Sequence, residues 1–234
     1  MISNKTRKQE GAVVYFEKIA PYYDNWYATS IGNYVDMTEK KEFFSLFQTK
    51  KGLILDLGCG TGNYTGILNA IGLDKSFNML KIAYKKFPNI PFVCGDALFL
   101  PFKDESFDSV ISITLFEFLF SPKKALIEIY RVLKPKGEII IGTLNTFSLW
   151  FFFKRLKTIF KKTAYRYARF YTINQLKSLL LQNGFKHIST RGVIYGPPFI
   201  PSYLIPIAFN IDRKLAKSFF RHLAAFILVR GEKL

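Results

Sequence analysis

Three aspartates, Asp56, Asp74 and Asp96, stand where apolar runs end, and the first leads into Gly58, Gly60 and Gly62 of "LILDLGCGTGNYT", residues 53–65. A glycine turn after a strand lets the backbone approach a ligand, and such turns cradle pyrophosphate in dinucleotide-binding folds. Asp56 argues against a diphosphate. It sits two residues before Gly58, so its carboxylate would face the ligand's negative charge at short range. The dinucleotide pattern also asks for a third glycine for close helix packing at position 63, where this chain has Asn63.

A ligand carrying an ammonium group reverses the electrostatics. Asp56 then pairs with it while Gly58 and Gly60 let the chain pass close by. S-adenosylmethionine is such a ligand. Asp74 can accept hydrogen bonds from both ribose hydroxyls, a role common to dinucleotide and adenosyl ligands. In "CGDALFLPF", Asp96 can accept from an adenine amino group while the backbone of Ala97 meets the ring nitrogen. Together these positions trace amine, ribose and base across successive strand ends, and Thr114 marks a fourth.

The elements that must position them follow from the alternation of β-branched apolar runs with amphipathic segments, the pattern of strands joined by helical crossovers. Strands are predicted at Gly52–Leu57, Ala70–Asp74, Pro91–Gly95, Asp108–Ile113, Glu138–Thr143, Ile188–Tyr195 and Ala225–Arg230. Ser76 caps a helix "FNMLKIAYKKF", Pro122 opens "KKALIEIYRVL", and Thr172 opens "INQLKSLLLQN" with Gly184 as its stop. "KPKG" at 134–137 reads as a turn into the fifth strand. The expectation is an α/β fold, a seven-stranded, mainly parallel, Rossmann-like sheet with helices on both faces, whose long last connection brings the final strand in antiparallel. The 234 residues, 49% hydrophobic, fit one domain. Its N-terminal 1–50 forms a helical cover and 146–171 an inserted helical lid. Ligands of open parallel sheets sit beyond the strands' carboxyl ends at the switch in strand order.

"LDLGCGTGNYT", "GLDKSFNML", "GDALFLPFKDESFDSVISI" and "ALIEIYRVLKPKGEIIIGTLN" resemble the successive motifs of class I S-adenosylmethionine-dependent methyltransferases, especially the ubiquinone and menaquinone methyltransferase branch. The resemblance runs from about Tyr15 to Gly184, with the end "FILVRGEK" also similar. It implies S-adenosylmethionine as cofactor and S-adenosylhomocysteine as product. Asp56, Gly58 and Gly60, with Cys59 and Asn63 in the same loop, would surround the methionine part. Asp74 and Lys75 would border the ribose and adenine, Asp96 and Ala97 the adenine, and Thr114 the methionyl side. "YD" near the start of such enzymes belongs to a cover over the site, matching Tyr23 and Asp24. Two departures stand out. The helix after the glycine loop is clipped to 63–69, and where many relatives carry a histidine after the fourth strand this chain has Glu117 and Phe118.

Tyr23, Glu117, Arg169 and Tyr171 are substrate-side candidates by location alone. Tyr15, Ile19, Tyr22 and Trp26 fall near helical spacing with Pro21 interrupting, an aromatic face expected to pack over the sheet. No metal-ligand spacing is seen among His, Cys, Asp and Glu, and no metal is expected. Cys59 and Cys94 suggest no disulfide framework, and the first residues lack a signal-peptide core, so a cytoplasmic protein is expected.

A net charge of +17 points to an anionic partner or surface. No acidic residue lies between Glu138 and Asp212, and within that interval "LWFFFKRLKTIFKKTAYRYARFYT" interleaves bulky apolar and basic residues. That composition suits an interfacial helix on anionic lipid, or equally a substrate-covering helix with a solvated basic side. The uncharged stretch 192–211 contains four prolines and reads as an irregular connection, with a basic helix following near Asp212–Leu223. The expected acceptor is a small or lipid-like molecule, met at the inner membrane face. An RNA methyltransferase and a non-catalytic S-adenosylmethionine-binding protein are the alternatives, and a dinucleotide oxidoreductase is disfavoured by Asp56 and Asn63. The oligomeric state and the accepting atom are not set by these residues.

Overall fold

In the computed structural model the residues described are 4–49, 51–160, 163–197 and 199–234. The seven strands are β1 (Ile54–Leu57), β2 (Ile71–Asp74), β3 (Phe92–Cys94), β4 (Phe107–Ile113), β5 (Leu133–Leu144), β6 (Phe185–Val193) and β7 (Phe226–Lys233). They form one sheet in the order β3-β2-β1-β4-β5-β7-β6. Pairs among β1 to β5 are parallel, whereas β7 runs antiparallel to both neighbours. Strand order therefore reverses between β1 and β4, where a crevice opens beyond the carboxyl ends.

Helices cover both faces: α1 (Asn4–Ile19), α2 (Ser30–Leu46), α3 (Asn63–Leu68), α4 (Phe77–Lys86), α5 (Pro122–Val132), α6 (Leu149–Phe160), α7 (Ile173–Gln182) and α8 (Ile205–Leu215). The two-residue period of the strands divides the core. Leu55, Leu57 and Val110 face Leu126 and Ile129 of α5 and Leu176 and Leu180 of α7. On the other side Ile54, Ile111 and Ile140 face Val35, Phe43 and Leu46 of α2. Each such buried side chain contributes about 1.5–3 kcal/mol, so the sheet is clamped from both sides.

Local chemistry sets the helix starts. The Ser76 hydroxyl accepts from Met79 N–H at 3.2 Å, and Thr172 with Gln175 forms a reciprocal capping box before α7. Gly184, at φ +91°, ends the turn after α7 in the left-handed region that favours glycine. α3 lasts six residues, from Gly62 at φ 82° to Asn69 at φ 49°.

Several sequence expectations need correction. "KPKG" does not precede β5 but lies inside it: Lys136 takes φ 64°, and pairing jumps from Phe107↔Leu133 to Ser109↔Glu138. The chain bulges there without leaving the sheet. β6 begins at Phe185, earlier than its apolar pattern suggests, because His187 at φ 50° shifts the register between Lys186 and Ser189. The prolines of 192–211 do not exclude a helix. Pro206 sits in the first turn of α8, where its missing N–H costs nothing, so that helix starts seven residues before Asp212 and a separate 3-10 turn, Phe219–Leu223, follows. Pro21 does end the first helix, and the 3-10 segment Ala20–Trp26 follows α1. It turns Tyr22 and Trp26 outward, 70% and 41% exposed, so the aromatic face is not packed as a unit.

Candidate active site

β1 and β2 hand their carboxyl ends to one loop. Gly58 and Cys59 N–H both donate to Leu73 C=O, at 2.7 and 3.1 Å, which pins the glycine loop across β2. Gly58 has φ 78°, and a Cβ there would lie 2.8 Å from Leu115 Cβ, so only glycine fits. Gly60 has φ 54°, yet a Cβ there would meet nothing within 4 Å. The backbone at Gly60 thus borders open space.

That space is a cleft beyond the carboxyl ends of the strands. Gly58, Gly60, Asp74, Lys75, Asp96, Ala97 and Thr114 line it, together with Tyr23. Asp74 is the organising carboxylate. It accepts from Gly60 N–H and Ser76 N–H, each at 2.8 Å, so it joins the glycine loop to the start of α4. Burial raises its pKa, and the backbone donors oppose that shift. Lys75 Nζ reaches Asp96 at 2.8 Å, and Asp96 also accepts from Leu98 N–H at 3.0 Å. Thr114 stands at φ 57°, costly for a β-branched residue, with its N–H held by Gly142 C=O at 2.8 Å.

A second chamber adjoins the cleft and shares Tyr23, Gly58, Gly60 and Thr114 with it. Asp56, Cys59, Thr61, Asn63, Tyr27, Asp36, Glu39, Tyr64 and Ile113 complete its lining. Asp56 accepts from the Thr65 hydroxyl at 2.6 Å, and burial raises its pKa to about 7 despite that bond. Burial also pushes the Cys59 thiol well above its usual range, which leaves no thiolate nucleophile there. Asn63 takes Lys86 Nζ at 2.7 Å, and the same ammonium reaches Asp24 at 2.9 Å. Asp24 in turn accepts from the Thr61 hydroxyl at 2.7 Å. The N-terminal cover is therefore latched onto the glycine loop, and this latch sets Tyr23 between cleft and chamber.

Three substrate-side candidates fall elsewhere. Glu117 is 1% exposed and lies off both linings. One of its oxygens accepts from the Thr143 hydroxyl at 2.8 Å while the other has no hydrogen-bond partner, and burial lifts its pKa to about 7. Tyr171 is buried in the core, its N–H bonded to Leu144 C=O. Arg169 stacks over the Tyr171 ring at 5.2 Å and donates its N–H to Glu117 C=O. The inserted segment supplies none of the described lining of either space. It packs instead on the cover, with Tyr167 against Gly11 of α1, and on the later chain, with Trp150 Nε1 donating to Gly196 C=O at 2.7 Å. Sequence reasoning missed Asp36 and Glu39. Their i, i+3 spacing puts both on one face of α2, a signal available once that helix is recognised.

The donor set fits an adenosyl ligand bearing an ammonium. Carboxylates stand at the ends of the first three strands, and two glycines leave room for close approach. Comparison with known proteins agrees. Residues 55–141 match the methyltransferase domain family. An uncharacterized protein of Methanocaldococcus jannaschii is 32% identical, over 94% of this chain and 90% of its own. The demethylmenaquinone methyltransferase of Lactobacillus johnsonii is 32% identical, over 74% and 84%. A crystal structure from Thermotoga maritima, of an S-adenosylmethionine-dependent methyltransferase described as a possible histamine N-methyltransferase, superposes with a TM-score of 0.75 at 26% identity, covering 95% of this chain and all of that one. With the seven-stranded sheet and the cleft at its switch point, these likenesses settle the family: the chain belongs to the class I S-adenosylmethionine-dependent methyltransferases.

Proposed function

We propose that this enzyme methylates a small or lipid-like acceptor that it meets at an anionic membrane surface. Bound in the cleft, S-adenosylmethionine supplies a sulfonium methyl that passes to a nucleophilic atom as the carbon–sulfur bond breaks and S-adenosylhomocysteine leaves. The chain's own contribution is placement and exclusion of water. Asp74 would hold the ribose, Asp96 and Ala97 the adenine, and Asp56 with the glycine loop the methionine end. Phe16 packs edge-on against both Tyr23 and Phe118, at 6.3 and 5.1 Å, and walls the cleft from solvent.

The observation that carries the membrane reading is a continuous exposed apolar face. Phe147 and Phe152 are each 62% exposed, Phe199 64%, Tyr203 77% and Phe219 82%. The elements that bear them touch one another, since Phe153 stacks edge-on with Phe199 at 5.3 Å and Phe147, Leu149, Phe220 and Leu223 line one hollow. Large apolar side chains exposed together in this way mark an interaction surface. The exposed charged residues of the same elements and the turn after them are basic, among them Arg155, Arg213, Lys214 and Lys217, which matches anionic headgroups. Among the described residues no helix is long and apolar enough to cross a membrane, so the reading is of a protein lying on the surface. The relatives described by quinone and amine acceptors support a small acceptor rather than a polymer.

The test is co-sedimentation with phosphatidylglycerol and phosphatidylcholine vesicles, joined to methyl-labelled incubation with a cell extract and phase partition. Selective binding to the anionic vesicles and label in the organic phase are expected, and Phe152→Ser with Phe219→Ser should abolish the binding. Label confined to a nuclease-sensitive aqueous fraction, with salt-dependent binding of bulk transfer RNA, would replace this reading with RNA methylation.

A further inference from the structure

We propose that the chamber beside the cofactor cleft receives the acceptor's amino group, with Glu39 as its anionic partner, so that the atom methylated is an amine nitrogen. The inference rests on the small, lipid-like acceptor reading and narrows it to an amine. Charge is the first argument. The protein carries +17, yet the described lining of this chamber includes Asp36 and Glu39, besides the Asp56 assigned above to the methionine end, and no lysine or arginine. An anionic acceptor would be repelled there, and a phosphate backbone more so.

Two of the three carboxylates are engaged. Asp36 accepts from Lys40 Nζ at 2.7 Å and Asp56 from Thr65 at 2.6 Å. Glu39 has no hydrogen-bond or ion-pair partner among the described residues. The strongest cationic influence on it, Lys154, makes no ion pair with it: that ammonium donates to the Tyr165 hydroxyl at 2.7 Å and lies over the Trp150 and Tyr165 rings. An independent sign points to a missing ligand: Tyr64 is 8% exposed, lines the chamber, and its hydroxyl is buried without a partner. A buried phenol left unsatisfied is costly. An ammonium or amine entering between Glu39 and Tyr64 would satisfy both, and the rings of Tyr23, Tyr27 and Tyr64 supply the faces on which a cation is stabilised.

The position suits an acceptor, because the shared wall of Tyr23, Gly58, Gly60 and Thr114 opens the chamber onto the methionine end of the cleft. An ammonium becomes a nucleophile only after losing a proton. That proton would pass from nitrogen to a Glu39 oxygen, leaving a neutral amine with a free lone pair beside a carboxylic acid. Burial raises Glu39 to about 8 in the chamber as it stands, and an ammonium entering beside it lowers that value again, so that Glu39 meets the ligand as the carboxylate and can then take its proton. The groups that face it are Asp36 and Lys40 from its own helix, Tyr23 and Tyr27 from the cover, Asp56 and Tyr64 from the loop side, and Glu117 and Lys154 beyond.

Calorimetry tests this without turnover. The full chain, saturated with S-adenosylhomocysteine, is titrated with decylamine, decanol and decanoate below their aggregation concentrations. Decylamine should bind at least about tenfold tighter than decanol, the scale of one charge-assisted hydrogen bond, and decanoate more weakly than either. Glu39→Gln should remove the amine's advantage while the affinity for S-adenosylhomocysteine and the melting temperature hold. Equal binding of the three probes, binding of none, or an advantage that survives Glu39→Gln overturns the proposal. So does a matching loss of S-adenosylhomocysteine affinity, which would assign Glu39 to the cofactor. An amine preference in a protein that ignores anionic vesicles supports the amine site and retires only the membrane reading.

Discussion

Replacing Asp74 with alanine tests the whole geometry of the cleft, because this carboxylate joins the glycine loop to α4 and, in the proposed reading, holds the ribose as well. In the structure it accepts from Gly60 and Ser76 N–H, both at 2.8 Å. Asp74→Ala would strand these two backbone donors, at about 1–3 kcal/mol each where water cannot replace the lost oxygen. Part of that cost falls on the folded state with or without ligand, and water entering the open cleft repays some of it. The part specific to binding is the pair of ribose hydroxyls left without a charged acceptor, about 1.5–3 kcal/mol for one such bond. Since about 1.4 kcal/mol is tenfold, the Kd for S-adenosylhomocysteine should rise by roughly 10- to 100-fold. Isothermal titration of the wild type and variant reads this directly, with a melting curve to show that both are folded. Asp74→Asn, which keeps one acceptor oxygen but turns an amide NH2 toward a backbone donor, should fall between. A folded Asp74→Ala that binds S-adenosylhomocysteine within threefold of wild type would refute the assignment of the ribose to Asp74.

Two further outcomes are expected. Burial raises Asp56 and Glu117 to about 7 and Glu39 to about 8, so each holds its proton in the folded chain over a range where the unfolded chain has lost it. Folding then binds more protons than unfolding between about pH 4 and 8, and stability falls as pH rises through that window. Asp108 and Glu128 are lowered by Lys134 and Arg131 and act oppositely, losing their contribution only as pH falls below the ordinary carboxylate range. The melting temperature should therefore peak near pH 5 and drop toward pH 8, with Glu117→Gln shrinking that drop; a profile that rises to pH 8 would contradict the burial argument. Separately, Glu138 accepts Arg230 Nε at 2.5 Å on one oxygen and Thr49 N–H at 2.6 Å on the other. Glu138→Ala leaves a buried guanidinium with only its 3.6 Å contact to Glu232 and should cost up to about 3 kcal/mol in chemical denaturation; a loss below about 1 kcal/mol would show that Glu232 or water takes over the pairing.

The alternation of strands and helices was legible because each element's period survives in the sequence, and Ser76, Thr172 and Gly184 mark boundaries by their own chemistry. The aspartates at three strand ends were legible for the same reason: a charged residue closing an apolar run has few structural uses. What failed to show was anything set by tertiary context. Nothing local says that Lys136 and His187 take positive φ inside strands, or that Pro206 begins a helix instead of preventing one. Glu117 looked like a site residue because it follows the fourth strand, but the short 3-10 turn Phe116–Phe118 rotates it under β5 toward Thr143. Asp36 and Glu39 were hidden in a helix that places chemistry on the sheet from outside the motif region.

Surface and interior carry opposite signs, and this separation has a measurable consequence. A free cationic acceptor approaching a chain of +17 through bulk water is repelled, yet the chamber it would enter is lined by Asp36, Glu39 and Asp56. The proposed anionic membrane would resolve the conflict, because it would attract the basic face and concentrate amine-bearing amphiphiles at the same surface. Salt then acts on the two steps differently. At about 0.15 M the Debye length is roughly 8 Å, so exposed pairs beyond that distance are screened while a buried pair is not. Raising salt from 50 to 500 mM should release the protein from phosphatidylglycerol vesicles by an order of magnitude or more, yet change the affinity of decylamine for the S-adenosylhomocysteine complex by less than about threefold. If decylamine binding fell in parallel with vesicle binding, the amine would be sensing the outer field rather than Glu39, and the chamber would have to be assigned to another part of the ligand.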